Sequence, residues 1–120
     1  MPWKLLQVGT VFDDFYAGCD DNLREKIDAR LAQLMMKGNM AKEPVSKPLG
    51  DGLFELRADS ADHHARFPFC FLPGQRIVVI DAQYKDQRTL PQAVINNAKN
   101  MVRLLKAGEI GSSDVKTKLH

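Results

Sequence analysis

Arg57 and Arg66 stand nine residues apart, each inside a stretch of mainly apolar, strand-forming residues, and Lys85 follows a third such stretch. Guanidinium groups match phosphate oxygens bidentately and an ammonium adds a point charge. Three such cations on one face of a small sheet would suit a phosphodiester. Arg57 has a competing reading. Glu55 lies two positions away on the same strand face and Asp59 two positions beyond, and a solvated pair with either is worth about 0–1 kcal/mol.

Lys85 has an ordinary pKa near ~10.4, so acting as a base would require depression by neighbouring cations, and Asp86 beside it works against that. Charge stabilisation by Lys85, or a part for Tyr84, therefore stays open. Lys47, Arg76 and Arg88 would extend a positive surface along a nucleic-acid backbone, or serve only as solvated residues. His63 and His64 titrate near neutrality, which suits a general acid, although polar loop histidines are usually just exposed. They form one adjacent pair without a third ligand at suitable spacing, so no metal site is expected.

These side chains need a scaffold, and the pattern supplies one. Residues 3 to 8 read as a short strand, with Trp3 anchoring it, and Thr10 to Phe15 as a short helix capped by Thr10. A second helix starts around Asp20 to Asn22. Its residues Leu23, Ile27, Leu31, Leu34 and Met35 fall on one stripe, and Gly38-Asn39 ends it. Residues 39 to 51 read as a loop, with two prolines and a Gly-Asp-Gly.

Strands are expected at about 52–59, 65–72 and 76–84, the last two joined by a tight turn at Pro73-Gly74. Arg66 shares its strand face with Pro68 and Cys70, while Phe67, Phe69 and Phe71 point to the core. Pro68 lacks an amide donor, so a bulge or an unpaired side is expected there. Thr89-Leu90-Pro91-Gln92 opens a last helix through Leu105, which Gly108 closes. The sum is an α+β domain over residues 1–108: a small antiparallel sheet with two N-terminal helices and one C-terminal helix, covered on one face only. Residues 109–120 read as a flexible tail.

Composition narrows the class without naming a function. The 120 residues carry a formal charge of +2, with 44% hydrophobic and 27% charged residues, which fits one ordinary globular domain. Such a balance alone does not mark a nucleic-acid binder. Cys19 and Cys70 lack a metal or redox context, and Cys70 between Phe69 and Phe71 reads as a packed small hydrophobe. The start lacks an apolar signal segment and no run approaches the ~20 apolar residues of a membrane span, so a cytoplasmic protein is expected.

Lys47-Pro48-Leu49-Gly50-Asp51-Gly52-Leu53-Phe54-Glu55-Leu56-Arg57, then Ala65-Arg66-Phe67-Pro68-Phe69-Cys70-Phe71, then Tyr84-Lys85 with Pro91 and Ala98 following, resembles the RelE/HigB toxins of toxin–antitoxin pairs. The likeness is to their phage-derived HigB-like branch, and it spans roughly residues 3 to 105. It implies a RelE/ParE-like fold and metal-independent, cofactor-free cleavage of mRNA on the ribosome by attack of a ribose 2′-hydroxyl on the adjacent phosphate. By this resemblance Arg57 and Arg66 match the toxins' arginines and Lys85 the first lysine of a paired motif.

The resemblance also implies a cognate antitoxin with a helix-turn-helix, through which the pair would reach promoter DNA. The chain departs from the pattern at Asp86, where a second lysine is usual, and at Gln83, where an aromatic is usual. That departure keeps open a catalytically degenerate or gyrase-directed protein that acts by binding. Composition also leaves room for a plain phage structural or assembly protein.

Overall fold

The computed structural model describes residues 2–84 and 90–119, with the order β1 (Lys4–Gln7), α1 (Val11–Ala17), α2 (Asp21–Lys37), a 3₁₀ turn (Gly38–Met40), β2 (Lys47–Gly50), β3 (Leu53–Asp59), β4 (His64–Leu72), β5 (Arg76–Val79), β6 (Gln83–Tyr84), α3 (Gln92–Lys106) and β7 (Ser113–Asp114). The fold is α+β, with three helices on a sheet ordered β2-β3-β4-β5-β1-β7, to which β6 adds by pairing with β4.

Helix α2 begins where the Asp20 side chain accepts from the Leu23 amide at 2.8 Å. It ends at Gly38, whose φ of +54° suits glycine, and the Trp3 ring packs so closely that a Cβ there would lie 2.1 Å from it. The Trp3 amide also donates to Met35 O at 2.8 Å, so the first strand is locked to the end of α2. The stripe Leu23, Ile27, Leu31 and Leu34 is fully buried against Leu56, Phe67, Phe69 and Ile77.

The sheet departs from expectation in several ways. The sheet is mixed rather than antiparallel, because β1 inserts beside β5 in parallel, with Leu5 opposite Ile77; the long intervening chain makes that crossover possible. Residues 47–50 are an edge strand rather than loop, with Lys47 opposite Glu55. Pro48 and Gly50 signal a loop in sequence, yet an edge strand tolerates a missing donor.

The sheet is also covered on both faces: α1 and α2 pack on one, while Ala98, Val102 and Leu105 of α3 pack with Leu6, Leu53, Cys70, Leu72, Val78 and Ile80 on the other. The unbroken apolar run Ile77–Ile80 is the signature of a strand buried twice.

The stretch expected as one strand over 76–84 is broken. Asp81 bonds the Ala82 amide at 2.8 Å and the Gln83 side chain at 3.0 Å, diverting the backbone before β6 resumes beside β4. Pro68 faces this break, between the pairs Phe69–Val79 and Arg66–Gln83, where its missing donor is tolerated. No helix among the described residues is long and apolar enough to cross a membrane.

The segment after Gly108, expected to be a flexible tail, carries β7 on the open edge of β1. Asp13 clasps it, accepting from the amides of Lys116 (3.1 Å) and Thr117 (3.0 Å) and from the Thr117 hydroxyl (2.7 Å). Burial would raise the Asp13 pKa, but hydrogen bonds from Thr117, Gln7 and these amides outweigh it and bring it down to about 2. A depressed carboxyl stabilises above its unfolded pKa and loses that contribution as pH falls through the folded one. Acidifying from about pH 4 to 2 is therefore expected to release the segment, and Asp13→Ala to release it at neutral pH. Amide exchange at Lys116 and Thr117 checks both; unchanged protection in the variant would show the clasp to be idle.

Candidate functional site

Strand period two sends Leu53, Glu55, Arg57 and Asp59 of β3 to the α3 face, together with His64 and Arg66 of β4. In the antiparallel ladder Arg57 is directly opposite Arg66, Asp59 is opposite His64, Glu55 is opposite Pro68 and, across the other edge, Lys47 is opposite Glu55. Like charges in register repel. Each arginine is therefore held by a carboxylate: Arg57 Nε donates to Glu55 Oε1 at 2.6 Å, and Arg66 Nη1 donates to Asp59 Oδ1 at 2.5 Å and to Ala65 O at 2.9 Å.

Depth separates the two guanidiniums. Arg66 is 4% exposed and Glu55 2%, whereas the Arg57 side chain keeps 29% of its surface. Arg66 Nε is enclosed without a hydrogen-bond partner among the described residues. The same Asp59 oxygen lies 3.0 Å from His64 Nδ1. Burial pushes the Asp59 carboxyl up, but the bonds from Arg66 and His64 prevail and hold it below the usual carboxylate range.

Beside Arg57 the face opens into a cleft of about 340 Å³ lined by Lys47, Leu49, Glu55, Arg57, Leu90, Gln92 and Ile95. It lies where α3 begins, beyond the part of the sheet that the helix covers. Two cations and one buried carboxylate border it, with apolar walls from Leu49, Leu90 and Ile95. Such a cleft can hold an anion against Arg57 and Lys47 while offering an acceptor at its floor.

Of the residues picked out in the sequence, the structure brings together Lys47, Arg57 and Arg66. Tyr84 is elsewhere. It pairs with Ala65, one step past the Gln83–Arg66 pair, so its side chain turns to the opposite face. There its ring stacks 4.4 Å from Phe15 and its hydroxyl donates to Gly18 O at 3.3 Å and to Cys19 Sγ at 3.5 Å.

Arg76 pairs with Leu72, six residues along β4 from Arg66, or about 20 Å at ~3.3 Å per residue. Its Nε donates to Pro73 O at 2.7 Å, in a separate cleft with Lys106. Lys85 and Arg88 lie outside the described residues. His63 sits 3.4 Å from Asp20 on the far side, and no cluster of His, Cys, Asp or Glu able to hold a metal occurs among the described residues. Cys70 is wholly buried, which pushes its thiol up to about 11.

Sequence reasoning underrated the carboxylates. It paired Arg57 with either Glu55 or Asp59; in the fold Glu55 takes Arg57 and Asp59 takes Arg66, an assignment that needs the β3–β4 register. The cleft walls Leu90 and Gln92 carry no sequence signal of their own, since only the placement of α3 brings them to β2 and β3.

This is an α+β domain with two opposed, carboxylate-held arginines, of which Arg57, with Lys47, borders a small cationic cleft and presents charge from paired strands rather than from a loop. A family model described as phage-derived protein Gp49-like matches residues 14–103, and the chain belongs to that family. No curated protein matches the chain.

Both tyrosines of the chain should resist ionisation. Burial and the Asp28 bond push Tyr16 up to about 12, and the Cys19 contact with burial pushes Tyr84 up to about 12. Raised acids stabilise fully below their unfolded pKa and lose that contribution as pH climbs through the folded one, here from about 10 to 12. The folded protein is expected to show no phenolate absorbance below about pH 11 and the urea-unfolded protein to titrate near ~10. A phenolate forming near 10 in the folded chain would contradict the described setting of Tyr84.

Proposed function

We propose that this chain is the toxin of a toxin–antitoxin pair and acts as a ribosome-dependent mRNA endonuclease, cutting without metal by attack of a ribose 2′-hydroxyl on the adjacent phosphate. The observation that carries this reading is the cleft that Arg57 and Lys47 both line, with Arg66 buried directly across the ladder from Arg57. Membership of a phage-derived family supports it. In this scheme Arg57 binds the scissile phosphate and neutralises its developing charge, and Arg66 adds positive potential from below while fixing the strand pair. Lys85 assists charge stabilisation or proton transfer, and Arg88 and Arg76 contact more distant RNA backbone. Tyr84, turned to the other face, takes no part at the phosphate.

The partner is a small antitoxin carrying a helix-turn-helix, through which the pair binds its own promoter in the cytoplasm. A second reading has a specific observation behind it. Both arginines are already engaged by carboxylates, and Asp86 and Gln83 replace residues usual in the toxins that the chain resembles. That combination fits a protein of the same fold that acts by binding alone, on gyrase or another target.

Inducing the chain in cells is expected to arrest growth and to create new mRNA 5′-hydroxyl ends. Removing one phosphate-stabilising donor typically costs about 10²–10³ in rate, so Arg57→Ala should restore growth and erase the new ends. Arrest without such ends would favour binding alone, and toxicity that survives Arg57→Ala would remove this cleft from the mechanism.

A further inference from the structure

Glu55 is the one carboxylate of the cleft, and the scheme above gives it no chemical task. Its side chain is 2% exposed in the middle of β3, between Lys47 on one neighbouring strand and Pro68 on the other. Burying a carboxylate is costly unless partners compensate it. One partner is clear: Arg57 Nε, at 2.6 Å from Oε1. No second hydrogen bond reaches this carboxylate from any described residue, although an ionised carboxylate has about four acceptor positions.

Nor is Glu55 sealed in. It lines the cleft with Lys47, Arg57 and Gln92, and neither of its oxygens is among the enclosed polar atoms that lack a partner. Among the described residues, the cleft floor therefore holds an acceptor that no second donor fills, on a carboxylate hydrogen-bonded to a guanidinium. Because Arg57 is tethered through Nε, its Nη groups remain for a ligand. The complementary ligand carries a hydroxyl donor next to an anion, and a ribonucleotide phosphodiester does so through its 2′-hydroxyl and the adjoining phosphate.

We propose that Glu55 is the general base of this site, an inference that rests on the nuclease reading above. The 2′-hydroxyl O–H bond breaks and its proton passes to the free oxygen of Glu55. The 2′-oxygen bonds to the neighbouring phosphorus, and the bond from phosphorus to the 5′-oxygen breaks. The departing 5′-oxygen takes a proton from solvent water, and Glu55 returns its own proton to the hydroxide so formed. The products are a 2′,3′-cyclic phosphate and a free 5′-hydroxyl. Lys85 is then needed for charge rather than as the base.

The test is single-turnover cleavage of a short mRNA on purified ribosomes by the wild-type chain, Glu55→Gln and Glu55→Asp, with folding followed by thermal melting and ribosome binding by co-sedimentation. A general base contributes about 10²–10⁴-fold. Glu55→Gln, which keeps an acceptor for Arg57, is expected to bind ribosomes normally and to cut at least about 100-fold more slowly. Glu55→Asp is expected to fall in between. An mRNA with a 5′-bridging sulfur at the scissile bond, whose leaving group needs no proton, should not rescue Glu55→Gln; rescue would make Glu55 the acid and overturn the proposal.

Cleavage by Glu55→Gln within about threefold of wild type would overturn the role of Glu55 alone. Should Glu55→Gln fail to fold, the same threefold criterion applies to Glu55→Ala, which likewise removes the base. Absence of wild-type cleavage, or equal cleavage of an mRNA with a 2′-deoxy sugar at the cut site, would instead overturn the nuclease reading, and this proposal with it.

Discussion

Everything on the α3 face follows from the register that sets Arg57 directly opposite Arg66. Two guanidiniums at that position on neighbouring strands repel, and the chain answers with a carboxylate two residues to either side of Arg57. Glu55 and Asp59 neutralise the pair without removing it. A one-residue slip of β3 would turn Glu55, Arg57 and Asp59 toward the α2 core, where Phe67 and Phe69 leave no room for charge. The charged ladder and the apolar face thus enforce one alignment from opposite sides.

That alignment also explains the position of the cleft. Helix α3 buries Ala98, Val102 and Leu105 over the apolar end of the sheet, around Cys70, Leu72 and Val78, and its N-terminal turn reaches only the edge of the charged end. Lys47 comes from edge strand β2, and the carboxylate and the partly exposed arginine from β3. Side chains fixed on paired strands lose less freedom on meeting a ligand than side chains on a loop. Across the sheet, Gln7 and Asp13 tie β1, α1 and the C-terminal segment together, so the open edge of the sheet is covered.

Much of the scaffold was legible in the sequence because local signals agreed. The Asp20 cap, the Leu23–Leu34 stripe and Gly38 each mark α2, and Pro73-Gly74 marks the hairpin between β4 and β5. Signals that depend on tertiary placement were not legible. The Pro-Gly content of 47–50 hides an edge strand, and the fit of α3 to the second sheet face needs both partners in place. Tyr84 illustrates the limit. Its spacing from Arg66 says nothing until the break at Asp81 sets the phase of β6, and that phase turns it away from the arginines. Arg57, Arg66 and Lys85 were expected on one sheet face; the register sets the two arginines directly opposite each other, Lys85 lies outside the described residues, and the division of Glu55 and Asp59 between the arginines required that register.

Nuclease action by this chain requires a phosphodiester in the Arg57 cleft. The most direct test of that requirement is a structure of the chain, silenced by a single substitution that leaves Arg57 intact, on an mRNA-programmed ribosome. The account predicts the scissile phosphate within hydrogen-bond distance of Arg57 and the adjoining ribose over Glu55. Messenger RNA lying instead along α2, or the cleft empty on a fully occupied ribosome, would contradict it.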